Sequence, residues 1–129
     1  MNVLIVEDDK VLRNMFTLFL KPYCKVYTAI NGNDSLTLIK QFFDEGNPFE
    51  LILLDIMLPE LDGISVLKEI RKYEQKKLSY KKAIVIMITA LCDHKNVYNS
   101  FSEDCNGYLV KPISKKILLK ILLENNIRF

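Results

Sequence analysis

The chain has 129 residues, of which 50% are hydrophobic and 26% are charged, and its formal net charge at pH 7 is +2. This size and composition are ordinary for one soluble globular domain with a buried core, and so small a charge gives no indication of nucleic-acid binding. No apolar run approaches the roughly 18 residues that a membrane span requires.

Five short apolar segments are predicted to be β-strands, with amphipathic segments between them. They are Val3–Val6, Lys25–Ala29, Leu51–Leu54, Ala83–Ile88 and Gly107–Val110. Ala83–Ile88 is the clearest, because its apolar run is unbroken and rich in β-branched residues. A strand that is covered by helices on both faces needs that composition.

Between the strands the apolar residues recur with the period of a helix. The apolar faces run from Val11 to Phe19, Leu36 to Phe43, Ile64 to Ile70, Val97 to Phe101 and Ile117 to Leu122. Pro22 closes the first helix and Ser114 caps the fifth. Five βα units in this order imply a parallel sheet with helices on both sides, joined by right-handed crossovers. We expect one domain over residues 1–129, with no output domain after the last helix.

The cysteines and the first residues indicate the compartment. Cys24, Cys92 and Cys105 are odd in number and far apart, which argues against a disulfide framework or a zinc site. The apolar start runs directly into an acidic triplet and has no basic leader, so it is interpreted as a buried strand rather than a signal peptide. We therefore expect a cytoplasmic protein.

Two other features have alternative interpretations. Residues 73–82 include four lysines, which could form a basic contact patch, although such runs are more often the solvated end of a helix. His94, the single histidine, could be a phospho-relay residue, but a polar residue in the loop before the fourth helix is the favoured interpretation.

Polar side chains follow four of the five predicted strands. Glu7-Asp8-Asp9 follows the first strand, Asp55 the third, Thr89-Ala90 the fourth and Lys111-Pro112 the fifth. In open parallel sheets, ligand-binding groups gather outside the carboxyl ends of the strands. Carboxylates, one hydroxyl and one lysine are therefore expected to converge on one edge of the sheet.

This set of side chains suits a divalent cation and phosphoryl transfer. Mg²⁺, or Mn²⁺, prefers oxygen ligands, which Asp8, Asp55 and a main-chain carbonyl just past Asp55 can supply. A carboxylate can then act as the nucleophile that accepts a phosphoryl group. The cation and Lys111 would neutralise charge on the phosphoryl oxygens, and Thr89 would donate a hydrogen bond to them.

The motifs resemble those of the receiver domain of two-component response regulators, over essentially the whole chain. They are Val6-Glu7-Asp8-Asp9, then residues 55–63 (DIMLPELDG), then Thr89-Ala90, and then residues 107–112 (GYLVKP). The resemblance implies a stand-alone receiver with a flavodoxin-like doubly wound (βα)5 fold and the strand order 2-1-3-4-5. It also implies a cis peptide bond between Lys111 and Pro112.

The resemblance assigns roles around the acceptor. It implies that Asp55 is the phosphorylated residue, that Asp8 is a direct metal ligand and that Glu7 acts through a metal-bound water. The backbone carbonyl of Met57 would be a further ligand.

The resemblance also implies a switch. Thr89 and Lys111 match the hydroxyl and the lysine of the family. Tyr108 matches the aromatic residue that turns inward when Thr89 moves toward the phosphoryl group. The surface expected to respond comprises the fourth helix, the fifth strand and the fifth helix. It carries Tyr98, Phe101, Tyr108, Lys115, Lys116 and Lys120.

The expected function is signalling rather than ordinary catalysis, since such a domain assists only its own phosphorylation and dephosphorylation. The donor would be a sensor histidine kinase or a histidine phosphotransfer protein, and the downstream protein target is unknown. We expect no direct contact with nucleic acid or membrane, and a monomer or weak dimer. One alternative is a receiver-like interaction module that is never phosphorylated. Another is an α/β hydrolase with an aspartyl nucleophile, which Met57 disfavours because such enzymes often have a second aspartate there.

Two apolar residues predict the lifetime of the signal. Met57 lies two residues past Asp55, and Leu91 lies two past Thr89. Neither side chain can orient an attacking water by a hydrogen bond. We therefore expect slow dephosphorylation.

Overall fold

The computed structural model of the chain describes residues 1–77, 81–90 and 104–129. In chain order its elements are β1 (Asn2–Val6), α1 (Lys10–Leu20), β2 (Lys25–Ala29), α2 (Gly32–Asp44), β3 (Leu51–Asp55), α3 (Gly63–Glu74), β4 (Ile84–Thr89), β5 (Gly107–Val110) and α4 (Lys115–Glu124). The five predicted strands are confirmed, each to within one residue at either end. The fifth predicted helix is α4. Outside the described residues lie Leu91, Cys92, His94, Val97, Tyr98 and Phe101.

The five strands form one parallel sheet in the order β2-β1-β3-β4-β5. This confirms the predicted doubly wound, flavodoxin-like fold. From β1 the chain first adds β2 on one side of the sheet and then crosses to add β3 on the other side, so β1 lies between β2 and β3. The carboxyl ends of β1 and β3 are therefore neighbours at the point where open sheets of this type bind their ligands.

Hydrophobic clusters cover both faces of the sheet. On one face, Phe16 and Leu20 of α1 and Leu118 and Leu122 of α4 belong to a single buried cluster. On the other, α2 and α3 contribute to a second cluster. Every residue of β1 and β3 is buried, because alternate side chains enter opposite clusters, and this explains their unbroken apolar runs. Among the described residues, no helix has the length and apolarity to cross a membrane.

The first turn of α3 packs directly against the backbone at the end of β3. The side chain of Asp62 caps the helix by accepting a hydrogen bond from the backbone N–H of Ser65. The N–H of Gly63 donates to the carbonyl of Ile56 at 2.9 Å. A Cβ atom at Gly63 would lie only 2.1 Å from the carbonyl oxygen of Asp55. Glycine is therefore required for this close approach.

Candidate functional site

Asp55 is the last residue of β3, and its side chain is almost completely buried. Both carboxylate oxygens have partners. Oδ1 accepts a hydrogen bond from the backbone N–H of Met57 at 3.0 Å, and Oδ2 accepts one from Nζ of Lys111 at 3.0 Å. The two contacts hold the carboxylate in one orientation at the edge of the sheet.

Lys111 follows β5 directly and reaches two carboxylates. Its Nζ lies 3.0 Å from Asp55 Oδ2 and 3.5 Å from Glu7 Oε1. Burial by itself would lower the pKa of Lys111, but the hydrogen bond and charge of Asp55, together with Glu7, outweigh it and raise the pKa above its ordinary value. The ammonium group is therefore charged at neutral pH. The bond between Lys111 and Pro112 is cis, as the resemblance implied.

Glu7 comes directly after β1 and has no exposed surface. Its Oε2 accepts a hydrogen bond from the N–H of Asp9 at 3.2 Å, while its Oε1 is buried without a hydrogen-bond partner among the described residues. Burial, followed by the neighbouring Asp55 carboxylate, raises the pKa of Glu7 to about 8. Without a cation, Glu7 therefore holds a proton at neutral pH.

Three carboxylates meet at this edge. Oxygen atoms of Glu7, Asp8 and Asp55 all lie within 4.8 Å of one another. Glu7 and Asp55 are buried and Asp8 is exposed, so the group opens to solvent on the Asp8 side. An all-oxygen set of this kind matches the preference of hard cations such as Mg²⁺. Glu7 Oε1, which has the Lys111 ammonium at 3.5 Å but no hydrogen bond among the described residues, is an acceptor that a hydrated cation would satisfy.

Thr89 lies on β4, which pairs with the strand of Asp55, and Tyr108 lies on β5, one strand farther along the sheet. Thr89 ends β4, is buried, and accepts a hydrogen bond on its backbone carbonyl from the N–H of Lys111 at 2.8 Å. Its hydroxyl donates to the carbonyl of Ala90 at 3.3 Å. Tyr108 is half-buried in β5 and packs against the cluster that covers the α2 and α3 face. Tyr108 lies within β5, three residues before Lys111, which directly follows the strand.

Two contacts at the site were missed by the sequence analysis. The backbone N–H of Met57 orients Asp55, while the side chain of Met57 is 63% exposed beside the site. Arg13 of α1 donates from Nη1 to the carbonyl oxygens of Glu7 and Asp8, at 2.9 and 3.3 Å. An arginine one turn into the helix that follows an acidic triplet was the available signal for the second contact. The amide contact depends on the loop conformation and had no sequence signal.

Comparison with known proteins gives a consistent answer. Residues 3–123 match the family described as the response regulator receiver domain. The transcriptional regulatory protein SrrA of Staphylococcus aureus is 31% identical over 121 residues, which cover 92% of this chain and 45% of SrrA. The chain therefore spans about half the length of the curated relatives that it matches.

Solved structures with the same fold include two that are informative. Chemotaxis protein CheY4 of Vibrio cholerae is 26% identical with a TM-score of 0.79, and the match covers 95% of this chain and 96% of that one. The receiver domain of the Saccharomyces cerevisiae response regulator Ssk1, solved with the histidine phosphotransfer signaling protein Ypd1, is 31% identical with a TM-score of 0.77. That match covers 95% of this chain and 86% of the Ssk1 chain.

Proposed function

Because this chain belongs to the response regulator receiver domain family, we propose that Asp55 accepts a phosphoryl group in two-component signalling. The observation that carries the proposal is the Asp55 carboxylate itself. It is buried, held at both oxygens, and paired at 3.0 Å with a lysine. Two further carboxylates lie close enough to share a cation with it.

The chain's own residues can perform most of the transfer. An oxygen of Asp55 forms the new bond to phosphorus while the bond from phosphorus to the donor's histidine nitrogen breaks, and the electron pair leaves with the imidazole. The Met57 N–H holds the attacking group in place, so that less entropy is lost on reaching the transition state. Lys111 can balance charge on the phosphoryl oxygens, and the Thr89 hydroxyl can donate to them.

The donor set fits Mg²⁺ or Mn²⁺. Asp8, Asp55 and the Met57 carbonyl would bind the cation directly, and Glu7 would bind through a water molecule. When bound, the cation supplies positive charge that keeps the carboxylates ionised and neutralises the phosphoryl group. Glu7 supports this assignment, because its buried Oε1 has no hydrogen-bond partner among the described residues and its pKa is raised even though the Lys111 ammonium lies 3.5 Å away. The single positive charge of Lys111 therefore does not balance the three carboxylates, and a cation would.

The response would begin at Thr89. Movement of its hydroxyl toward the phosphoryl group would free space for Tyr108, and the surface made by the predicted fourth helix, β5 and α4 would change. A protein target on that surface would read the change. The exposed, apolar Met57 supports slow dephosphorylation, as does Leu91, which lies outside the described residues.

A solved relative supports the proposed class of phosphoryl donor. The Ssk1 receiver was solved with a histidine phosphotransfer protein, which supports a phosphohistidine donor for this chain, either a phosphotransfer protein or a sensor kinase. The free thiols of Cys24 and Cys105 support a cytoplasmic location for the encounter.

Intact mass after incubation with acetyl phosphate and Mg²⁺ tests the proposal. We expect a phosphate-sized gain in the wild-type chain, and no gain in Asp55→Asn or when Mg²⁺ is chelated. Asp62→Asn is the matched control, because Asp62 is an exposed cap in the loop after Asp55 and should leave the gain unchanged. Failure with both acetyl phosphate and a phosphorylated phosphotransfer protein would contradict the proposal and favour an unphosphorylated interaction module.

A further inference from the structure

The acceptor loop, residues 56–62 between β3 and α3, contains a strained glutamate. Glu60 has a left-handed φ of 68°, and the N–H of Leu61 donates to the carbonyl of Pro59 at 2.8 Å. A positive φ with this hydrogen bond is the rare and strained form of the γ-turn. Glycine adopts such a φ readily, whereas a glutamate does so only at a cost in free energy. Contacts around the loop must therefore hold Glu60 in this conformation.

Those contacts come from the start of α2. The Nδ2 group of Asn33 donates a hydrogen bond to Oε2 of Glu60 at 3.1 Å, and both side chains are exposed. In the described part of the chain, this is the only hydrogen bond that the Glu60 side chain makes. Next to it, a Cβ atom at Gly32 would lie 2.1 Å from the carbonyl oxygen of Leu61. The first turn of α2 therefore packs on the backbone of the acceptor loop and bonds to its strained residue.

The acceptor loop also places both backbone groups of Met57. The Met57 N–H donates to Oδ1 of Asp55 at 3.0 Å. The N–H of Leu58 donates to the carbonyl of Ile56 at 3.1 Å, so Met57 is the centre of a second three-residue turn. Where α3 begins, another N–H donates to this same carbonyl, which closes the loop. A change of φ at Glu60 must therefore be taken up by the few residues that separate it from Met57.

We propose that Asn33 is a positioning residue for the acceptor site, because its bond to Glu60 holds the strained turn that places Met57. The Met57 N–H orients Asp55. The Met57 carbonyl is the Mg²⁺ ligand of the proposed function, and the effect on Mg²⁺ affinity rests on that function. Asn33 acts through Glu60 and makes no hydrogen bond of its own to the three carboxylates, all of which lie in the described part of the chain.

Two substitutions of Glu60 separate backbone strain from loss of the side-chain contact. Glu60→Ala and Glu60→Gly both remove the carboxylate, but only glycine adopts a φ of 68° without strain. In calorimetry, we expect Glu60→Ala to raise the Mg²⁺ dissociation constant about 3-fold, and Glu60→Gly to leave it within about 1.5-fold of the wild type. The different freedom of alanine and glycine in the unfolded chain does not enter, because Mg²⁺ binding compares two folded states.

Asn33→Ala should also raise the Mg²⁺ dissociation constant about 3-fold. It should have no further effect in the Glu60→Gly background, because a glycine turn needs no support from α2. Gln41→Ala is the matched control. The Nε2 group of Gln41 donates to Oε1 of Glu45 at 3.3 Å, so this variant also removes an exposed bond from an amide to a carboxylate, at the other end of α2. The control should bind Mg²⁺ like the wild type.

The metal-free chain gives a measurement that does not depend on Mg²⁺. With EDTA present, amide hydrogen exchange at Met57, measured by NMR, should be about 3-fold faster in Asn33→Ala and Glu60→Ala. It should be unchanged in Glu60→Gly and Gln41→Ala.

Unchanged exchange at Met57 in Asn33→Ala would overturn the proposal. So would an effect of Asn33→Ala that persists in the Glu60→Gly background or that Gln41→Ala matches. A wild-type chain that bound no Mg²⁺ would contradict the metal part of the proposed function, whereas the exchange rates at Met57 would still support or refute the role of Asn33.

Discussion

Gly63→Ala tests how closely α3 is coupled to the acceptor residue. The new Cβ would lie 2.1 Å from the carbonyl oxygen of Asp55 and 2.8 Å from the Cα of Ile56. Real Cβ atoms essentially never approach closer than 3.0 Å, so the helix and the strand end must separate by about 1 Å. Both contacts are with backbone, which cannot rotate away as a side chain can.

The cost can be estimated from three contributions. Overpacking of this kind costs about 1–3 kcal/mol, and weakening the bond from the Gly63 N–H to Ile56 costs about 1 kcal/mol more. Alanine also restricts the conformations of the unfolded chain, which stabilises the folded state by about 0.4–1 kcal/mol. We expect a net loss of about 2 kcal/mol in the free energy of unfolding, measured by urea denaturation.

Two other glycines provide the controls. Gly32→Ala puts a Cβ 2.1 Å from the carbonyl oxygen of Leu61, at the first position of α2, so it should cost a similar amount. Gly107→Ala meets side chains rather than backbone, with Ile121 Cδ1 at 2.7 Å, Ile121 Cγ1 at 3.3 Å and Ile86 Cδ1 at 3.4 Å. Because the closest atom is the end of a flexible side chain, the substitution should cost less than about 1 kcal/mol.

The comparison of the two costly variants separates stability from function. The rate of mass gain with acetyl phosphate should fall more in Gly63→Ala than in Gly32→Ala, because only the former displaces the backbone of Asp55. Stability of Gly63→Ala within about 0.5 kcal/mol of the wild type would refute the reasoning, since that is the range of a neutral surface change. Equal phosphorylation rates in the two variants would refute the coupling to the site.

Three further predictions concern the carboxylates and their neighbours. Without divalent cations, the melting temperature should fall as pH rises from about 5 to above 8. Glu7, with its raised pKa of about 8, keeps a proton in the folded chain over a pH range where the unfolded chain has lost it. Glu7→Gln should flatten this dependence, and equal slopes of melting temperature against pH in the variant and the wild type would contradict the prediction. Arg13→Met should lower the free energy of unfolding, measured by urea denaturation, by about 1.5–3 kcal/mol, and should weaken Mg²⁺ binding measured by calorimetry. Lys10→Met, on the same helix, should change neither quantity. Equal effects of the two substitutions would refute the role of the hydrogen bonds from Arg13 to the Glu7 and Asp8 carbonyls. Met57→Asn combined with Leu91→Glu should shorten the phosphoryl half-life, and an unchanged half-life would show that these side chains do not control water attack.

The strands and helices were predictable because their signals are local. The unbroken run before Thr89 required a strand covered on both faces, and the structure has β4 there. Caps such as Ser114 were likewise recognisable from residue type and position. The convergence of polar residues at one edge followed from parallel strands alone, because every carboxyl end then lies on the same side.

The contact between the tail after α4 and the turn after α1 was not predictable in the same way. Tyr23 and Phe129 are separated by almost the whole chain, and their contact depends on how the tail after α4 folds back. Neither residue belongs to a motif. Only the packing of α1 beside α4 in one cluster brings them together.

Glu7 and Asp8 show where the sequence stops being informative. That three acidic residues follow the first strand and that Asp55 follows the third could be predicted, since residue type and strand pattern are local properties. No local pattern predicted that Glu7 is buried with a raised pKa while its neighbour Asp8 faces solvent, and this became visible in the folded chain. Burial and pKa depend on which distant groups surround a side chain, and for Glu7 these are Asp55 and Lys111, which come from the ends of two other strands.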